Sequence, residues 1–195
     1  MSSLRKPAPK HLQPLTFKFN EENLLRTKQI IAKYPIGRQK SAIMPLLDLV
    51  QKQQENHWIP TIAMDYIANI LDIAPINVYE VATFYTMYNL SPVGKYFIQV
   101  CTTTPCWLRG SCNIISMCKN LLNLNINETT SDKLFTLVEV ECLGACVNGP
   151  MMQINQDYYE DLTPQTTKNI IESIKIGKHP KIGSQIGRKS CEPLK

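Results

Sequence analysis

The chain has 195 residues, of which 44% are hydrophobic, and it carries a formal net charge of +5 at pH 7. This length suits one ordinary domain with an appendage, and the apolar content is enough to bury a core. No stretch reaches the run of about 20 apolar residues that a membrane-spanning helix needs, and no secretory signal is recognised. The seven cysteines are an odd number, which argues against a complete disulfide framework. In the reducing compartment expected here, spaced cysteines more often bind metal or carry out redox chemistry.

The positive charge is concentrated at the two ends of the chain. The first 20 residues contain basic side chains and no acidic one. Residues 175–195 contain six Lys or Arg and a single Glu, whereas the body between the two ends has a slightly negative net charge. We therefore expect a basic N-terminal arm over residues 1–19 and a basic C-terminal tail over residues 177–195. These segments could lie on a larger partner or could be solvated termini.

Residues 20–90 have the pattern of a helical domain. Helices are expected from residue 21 to about 34, from 40 to 54, from 61 to 71 and from 75 to about 85. Asn20 is placed to cap the first helix, and Pro75 suits the first turn of the fourth. The last two helices could form a DNA-binding helix-turn-helix, but no Lys or Arg lies between Pro75 and Leu90. Because base and phosphate contacts need such donors, we expect no nucleic-acid partner.

Residues 91–176 alternate between strand and helix patterns. Strands are expected over residues 96–100, 134–140 and 151–154, with a fourth strand or a turn over residues 157–160. Helices are expected over residues 108–122 and 164–175. Thr163 is placed to cap the last helix. This order fits a thioredoxin-like α/β domain with a four-stranded mixed sheet. The predicted fold class is therefore α+β, with an N-terminal helical bundle followed by that α/β domain.

Two pairs of cysteines follow the first two strands of this domain. Cys101 and Cys106 form a C-x4-C pair directly after the first strand, and Cys142 and Cys146 form a C-x3-C pair directly after the second. If these strands are parallel, both loops leave the same edge of the sheet and four thiolates can converge there; antiparallel strands would separate them. A [2Fe–2S] cluster needs two thiolates for each iron, which two short loops can supply.

Other kinds of site remain open at this point. Structural zinc also binds four cysteines, although two intervening residues are the more usual spacing. A C-x-x-C dithiol pair is absent, and so are a P-loop and a GxGxxG motif for nucleotides. Cys112 and Cys118 lie in one predicted helix and are expected to be ordinary helical or core residues. Cys191, in the tail, is expected to be a free thiol.

Three motifs, in order along the chain, resemble one known family. They are Val78-Tyr79-Glu80-Val81-Ala82-Thr83-Phe84-Tyr85-Thr86-Met87-Tyr88-Asn89, Cys101-Thr102-Thr103-Thr104-Pro105-Cys106 and Glu139-Val140-Glu141-Cys142-Leu143-Gly144-Ala145-Cys146. The family is the thioredoxin-like [2Fe–2S] subunit of NADH-quinone oxidoreductase, which is respiratory complex I. The resemblance covers about residues 20–176 and extends into the tail around residues 187–193.

The resemblance implies a function as well as a fold. It implies one [2Fe–2S] cluster on Cys101, Cys106, Cys142 and Cys146, no catalytic residue in this chain, and FMN and NADH bound only on a partner flavoprotein subunit. The expected role is electron transfer within NADH:quinone oxidoreductase, beside that flavoprotein and the large iron–sulfur subunit. A diaphorase-module subunit of an NAD-linked hydrogenase or formate dehydrogenase is one alternative, and a zinc-stabilised interaction module is another.

The same reasoning gives an expected location. The chain would lie in a bacterial cytoplasm, peripheral to the inner membrane and associated with that membrane only through the complex. The mitochondrial matrix side is the alternative, because the first 20 residues are basic and free of acids.

Overall fold

The computed structural model describes residues 6–190 and divides the chain after Val93 into two compact units. No helix in this described part is long and apolar enough to cross a membrane. The expected division into segments 1–19, 20–90, 91–176 and 177–195 stays a prediction.

In its described residues, 6–93, the first unit is built around four α-helices. They are α1 (Glu21–Ile31), α2 (Ile43–Gln53), α3 (Thr61–Leu71) and α4 (Pro75–Phe84). Local signals set their starts: the Asn20 side chain accepts a hydrogen bond from the backbone N–H of Asn23, and Pro75 occupies the first turn of α4. The helices bury one apolar core, which includes Leu46, Ile67 and Val78.

Part of the expected N-terminal arm packs on this helical unit. The backbone N–H of Ala8 donates to the carbonyl of Leu90 at 2.9 Å. Phe17 and Phe19 are buried in the core, where both rings pack edge-on against Tyr66. Burial of two aromatic side chains is worth several kcal/mol, so these residues are held by the helices and are not a solvated terminus.

The second unit is a sheet with helices packed on it. Its elements are β1 (Tyr96–Cys101), α5 (Thr104–Leu108), α6 (Ser111–Leu122), β2 (Glu128–Thr129), β3 (Phe135–Val140), β4 (Met152–Ile154), β5 (Asp157–Glu160), α7 (Pro164–Lys175) and β6 (Gly183–Ser184). The strand order is β2-β3-β1-β4-β5-β6. β1 pairs in parallel with β3, and β5 pairs in parallel with β6, whereas the other pairs are antiparallel. The α+β fold class is confirmed.

Among residues 6–190 the sheet has six strands, so the expected number of four was wrong. The two additional strands, β2 and β6, are only two residues long, too short to show an alternating pattern. β6 also lies within the expected C-terminal tail, where its two residues pair with Tyr159 and Glu160. Residues 183–184 therefore belong to the sheet.

Candidate metal centre

The four predicted ligand cysteines come from one edge of the sheet. β1 ends at Cys101, which lies opposite Val140, the last residue of β3. Because the two strands are parallel, Cys142 follows two residues beyond the same edge. Cys106 lies in α5, directly after β1, and Cys146 begins a short 3-10 turn, Cys146–Asn148. The parallel arrangement, which the sequence left open, is thus the one that the structure shows.

The two cysteine pairs differ in their exposure to solvent. Cys101 and Cys106 are each only 1% exposed and pack with Met151 in a small apolar cluster. Cys142 is exposed and Cys146 is partly so, and their Sγ atoms lie 3.2 Å apart. A disulfide would bring two sulfurs to about 2.05 Å, and all four thiols are free. The site thus has a buried pair and a pair at the surface.

The pKa values of three of these thiols are shifted from their ordinary value, and the direction of the shift does not simply follow exposure. Burial, with a contribution from the neighbouring Cys101, raises the pKa of Cys106 to about 12. A hydrogen bond from the backbone N–H of Gly144 lowers the pKa of Cys142, because that donor favours the thiolate. The pKa of Cys146 is raised, chiefly by its hydrogen bond with Cys142. Cys142 is therefore the thiol of this surface pair that ionises more readily.

The loop between Cys142 and Cys146 is shaped by its backbone and by one tyrosine. Gly144 has a φ of +86°, a left-handed conformation that glycine adopts without strain, and its N–H points at the sulfur of Cys142 from 3.4 Å. The hydroxyl of Tyr158, on β5, donates to the carbonyl of Leu143 at 2.8 Å. This contact ties the loop to the sheet.

Three successive carbonyls after Cys146 are held by groups from other parts of the unit. The Nη2 of Arg188 donates to the carbonyl of Val147 at 2.7 Å, and the backbone N–H of Asp161 donates to that of Asn148 at 2.6 Å. The Nε of Arg109 donates to the carbonyl of Gly149 at 2.6 Å. Since Arg109 directly follows α5, this last contact joins the segment of Cys106 to the segment of Cys146.

The residues at this edge fit a [2Fe–2S] cluster. Four free thiols in two pairs match the two thiolates that each iron requires. The N–H of Gly144 and the hydroxyl of Thr103, which lies 3.3 Å from the sulfur of Cys101, can donate to sulfur, as donors around such clusters do. Within residues 6–190, no three or more His, Cys, Asp or Glu side chains, these thiols included, are already grouped as a metal site, so the fit rests on the two cysteine pairs and the donors beside them.

Two further cysteines lie outside this arrangement. Both fall in α6, as predicted: Cys112 is exposed, whereas Cys118 is buried among the apolar side chains of the second unit. Burial raises the pKa of Cys118 to about 12, so it is a neutral core thiol. Cys191 lies outside the described residues.

Sequence reasoning missed the residues that support the cysteines. These residues lie far from the cysteine motifs or belong to no recognisable motif; they are Arg109, Tyr158, Asp161 and Arg188. Asp161 and Arg188 are 27 residues apart, and only the pairing of β5 with β6 brings them together. The Gly-Arg pair at residues 187–188 fell within the resemblance to the family, which was the one available signal.

Comparison with known proteins agrees with this geometry. Residues 27–175 match the family described as thioredoxin-like [2Fe–2S] ferredoxin. The mitochondrial NADH dehydrogenase (ubiquinone) flavoprotein 2 of Dictyostelium discoideum is 56% identical over 90% of this chain and 71% of that relative. A subunit of the NADH-quinone oxidoreductase of Rickettsia bellii is 55% identical over 82% of this chain and 95% of its own length.

A solved structure gives the same fold at much lower identity. The air-oxidized NAD+-reducing [NiFe]-hydrogenase matches 69% of this chain with a TM-score of 0.59 and 16% identity, and this chain spans 23% of that one. At such identity the likeness shows the fold alone. The resemblance inferred from the three motifs is confirmed by the family match and by relatives above 50% identity. The chain therefore belongs to the thioredoxin-like [2Fe–2S] ferredoxin family, together with relatives that are named as components of NADH-quinone oxidoreductase.

Proposed function

We propose that this chain is the electron-transfer subunit of an NADH:quinone oxidoreductase, with Cys101, Cys106, Cys142 and Cys146 as the ligands of one [2Fe–2S] cluster. The observation that carries the proposal is the parallel pairing of β1 with β3, which delivers both cysteine pairs to one sheet edge. Relatives at 55–56% identity that carry this function in their names support it.

A cluster bound here would supply one-electron chemistry, and the chain supplies its surroundings. Cys101 and Cys106 would form the buried ligand pair, and Cys142 and Cys146 the pair at the surface. Hydrogen-bond donors such as the N–H of Gly144 offset the negative charge of the thiolates. Such donors and the degree of burial are the means by which a protein sets a cluster's reduction potential.

The surface beside the ligands suits a protein partner. Trp107 and Leu108 directly follow Cys106, Val147 directly follows Cys146, and all three side chains are exposed. Exposed large apolar side chains beside a functional site suit a protein interface, where tryptophan is enriched. We propose that the partner is the FMN- and NADH-binding flavoprotein subunit, with the large iron–sulfur subunit as a further neighbour in the complex.

The proposed location follows from the proposed complex. The chain would be peripheral on the cytoplasmic face of a bacterial inner membrane, or on the matrix side of the mitochondrial membrane. Relatives of both origins match it about equally well.

Metal analysis and NADH-dependent reduction test the proposal together. The full chain, purified anaerobically, should contain iron and acid-labile sulfide in equal amounts. When it is combined with the flavoprotein subunit, NADH should produce the EPR signal of a reduced [2Fe–2S] cluster, whereas NADH alone should not. One tightly bound zinc without sulfide, even after attempted reconstitution, would refute the cluster. A cluster that no NADH-loaded flavoprotein reduces would refute the assigned complex.

A further inference from the structure

The C-terminal clamp, residues 183–188, returns to the segment that follows Cys146. Its first two residues form β6 on the edge of the sheet. Its last residue, Arg188, then reaches the carbonyl of Val147, one residue beyond the proposed ligand Cys146. The clamp thus connects β6, the outermost strand beside β5, to the 3-10 turn Cys146–Asn148. We call this turn the Cys146 turn.

Arg188 is fixed by the buried carboxylate of Asp161. The side chain of Asp161 is 3% exposed, and its oxygens accept hydrogen bonds from Arg188 Nη2 at 2.7 Å, from Arg188 Nε at 3.1 Å and from Ser184 Oγ at 2.7 Å. The hydroxyl of Ser184 also accepts the backbone N–H of Arg188 at 2.9 Å. All of these side-chain partners of Asp161 belong to the clamp. A carboxylate this deeply buried is strongly unfavourable without a cation, so the pair holds Arg188 in one position.

The same pair controls two consecutive peptide groups of the Cys146 turn. Arg188 binds the carbonyl of Val147 through Nη2, and Asp161 binds the carbonyl of Asn148 through its backbone N–H. A guanidinium has the planar donor fork that can satisfy a carboxylate and a carbonyl at once, which a lysine ammonium cannot do with the same geometry. The turn that begins at Cys146 is thereby fixed from outside the cysteine loop.

We propose that Arg188 is a positioning residue for Cys146: paired with Asp161, it fixes the Cys146 turn in the conformation that presents the Cys146 sulfur to the cluster. This inference rests on the proposed function, because it assigns Cys146 as a ligand. It gives the C-terminal clamp a role within the metal centre of this chain, in addition to any contact with a partner.

Substitution of Arg188 in the full, cluster-loaded chain tests the proposal. In R188Q, the cluster should be lost to an iron chelator about 10-fold faster or more, the usual range for removal of an outer-shell partner. The EPR g values and the visible circular dichroism should also shift, because they report geometry at the iron. R188K keeps the charge without the fork, so it should be intermediate, and D161N should resemble R188Q.

Lys189→Gln is the matched control. Lys189 is the neighbouring cation, is exposed, and lies outside the contacts described above. K189Q should show wild-type chelator kinetics and wild-type spectra. Unchanged kinetics and spectra in R188Q, or equal changes in K189Q, would overturn the inference. If R188Q does not fold, the comparison of R188K with K189Q decides instead. A wild-type chain that takes up no iron and sulfide would instead refute the proposed function itself.

Discussion

Gly149 offers a test of how tightly the proposed ligand Cys106 is packed. The backbone at Gly149 has φ −65° and ψ 158°, a conformation that any residue adopts, so an alanine there meets no backbone penalty. Its Cβ, however, would lie 3.2 Å from the Cys106 sulfur, 3.5 Å from the Cys146 carbonyl oxygen and 3.6 Å from the Cys106 Cα. The first distance is too short for ordinary contact, so the sulfur or residue 149 must move by a few tenths of an ångström.

We expect Gly149→Ala to weaken retention of the cluster more than it destabilises the fold. Overpacking of this kind costs about 1–3 kcal/mol of folding free energy, which urea unfolding followed by far-ultraviolet circular dichroism measures. Because the contact falls on a proposed ligand, release of iron to a chelator should accelerate by about 10-fold.

Gly177→Ala separates these two effects. Gly177 has a φ of +75°, and a Cβ added there would meet nothing within 4 Å, so alanine costs about 1–2 kcal/mol through its backbone alone. Its iron release should match the wild type. Wild-type release from G149A, or equal acceleration in G177A, would show that packing at Cys106 does not govern cluster retention.

Further substitutions distinguish ligands from neighbours. Cys101→Ser should sharply lower the iron and sulfide content, whereas Cys112→Ser should retain both; equal losses would contradict the ligand assignment. Tyr158→Phe removes the hydrogen bond to the 142–146 loop, so it should cost about 1 kcal/mol and speed chelator release by a few-fold, with unchanged release counting against the role given to that hydroxyl. Iodoacetamide at pH 8 should modify Cys112, which is exposed, and spare Cys118, which is buried and whose pKa of about 12 keeps the thiol protonated at pH 8. Mass spectrometry that finds Cys118 modified in the folded chain would contradict its burial.

Much of the fold was predictable because local signals agreed with the tertiary structure. The bounds of α3, and the Thr163 cap and Pro164 start of α7, were predicted correctly, since prolines and side-chain caps mark those ends. α5 was missed because Thr104 and Pro105 at its start read as a loop between two cysteines, although proline is well suited to a first helical turn. The short strands β2 and β6 exist only through their pairing partners.

The sequence pointed to the four cysteines of the candidate site but not to the residues that support them. Motif spacing and resemblance pointed to all four cysteines, and the parallel pairing of β1 with β3 shows how they can meet. The clamp depends on contacts such as Arg188 with Asp161, which join distant segments without any periodic pattern. Such long-range polar contacts follow from the sheet order, which one sequence does not specify.

The pairing of β1 with β3 also makes the metal centre a reporter of folding. Cys101 and Cys142 are 41 residues apart, and the loop between them closes only when these two strands align in register. Closing a loop of this length carries a larger entropic cost than closing the short loop of a zinc site whose cysteines lie a few residues apart. Cluster binding should therefore be coupled to formation of the whole sheet, so that the visible absorbance of the loaded protein measures the fraction of chains that are natively folded.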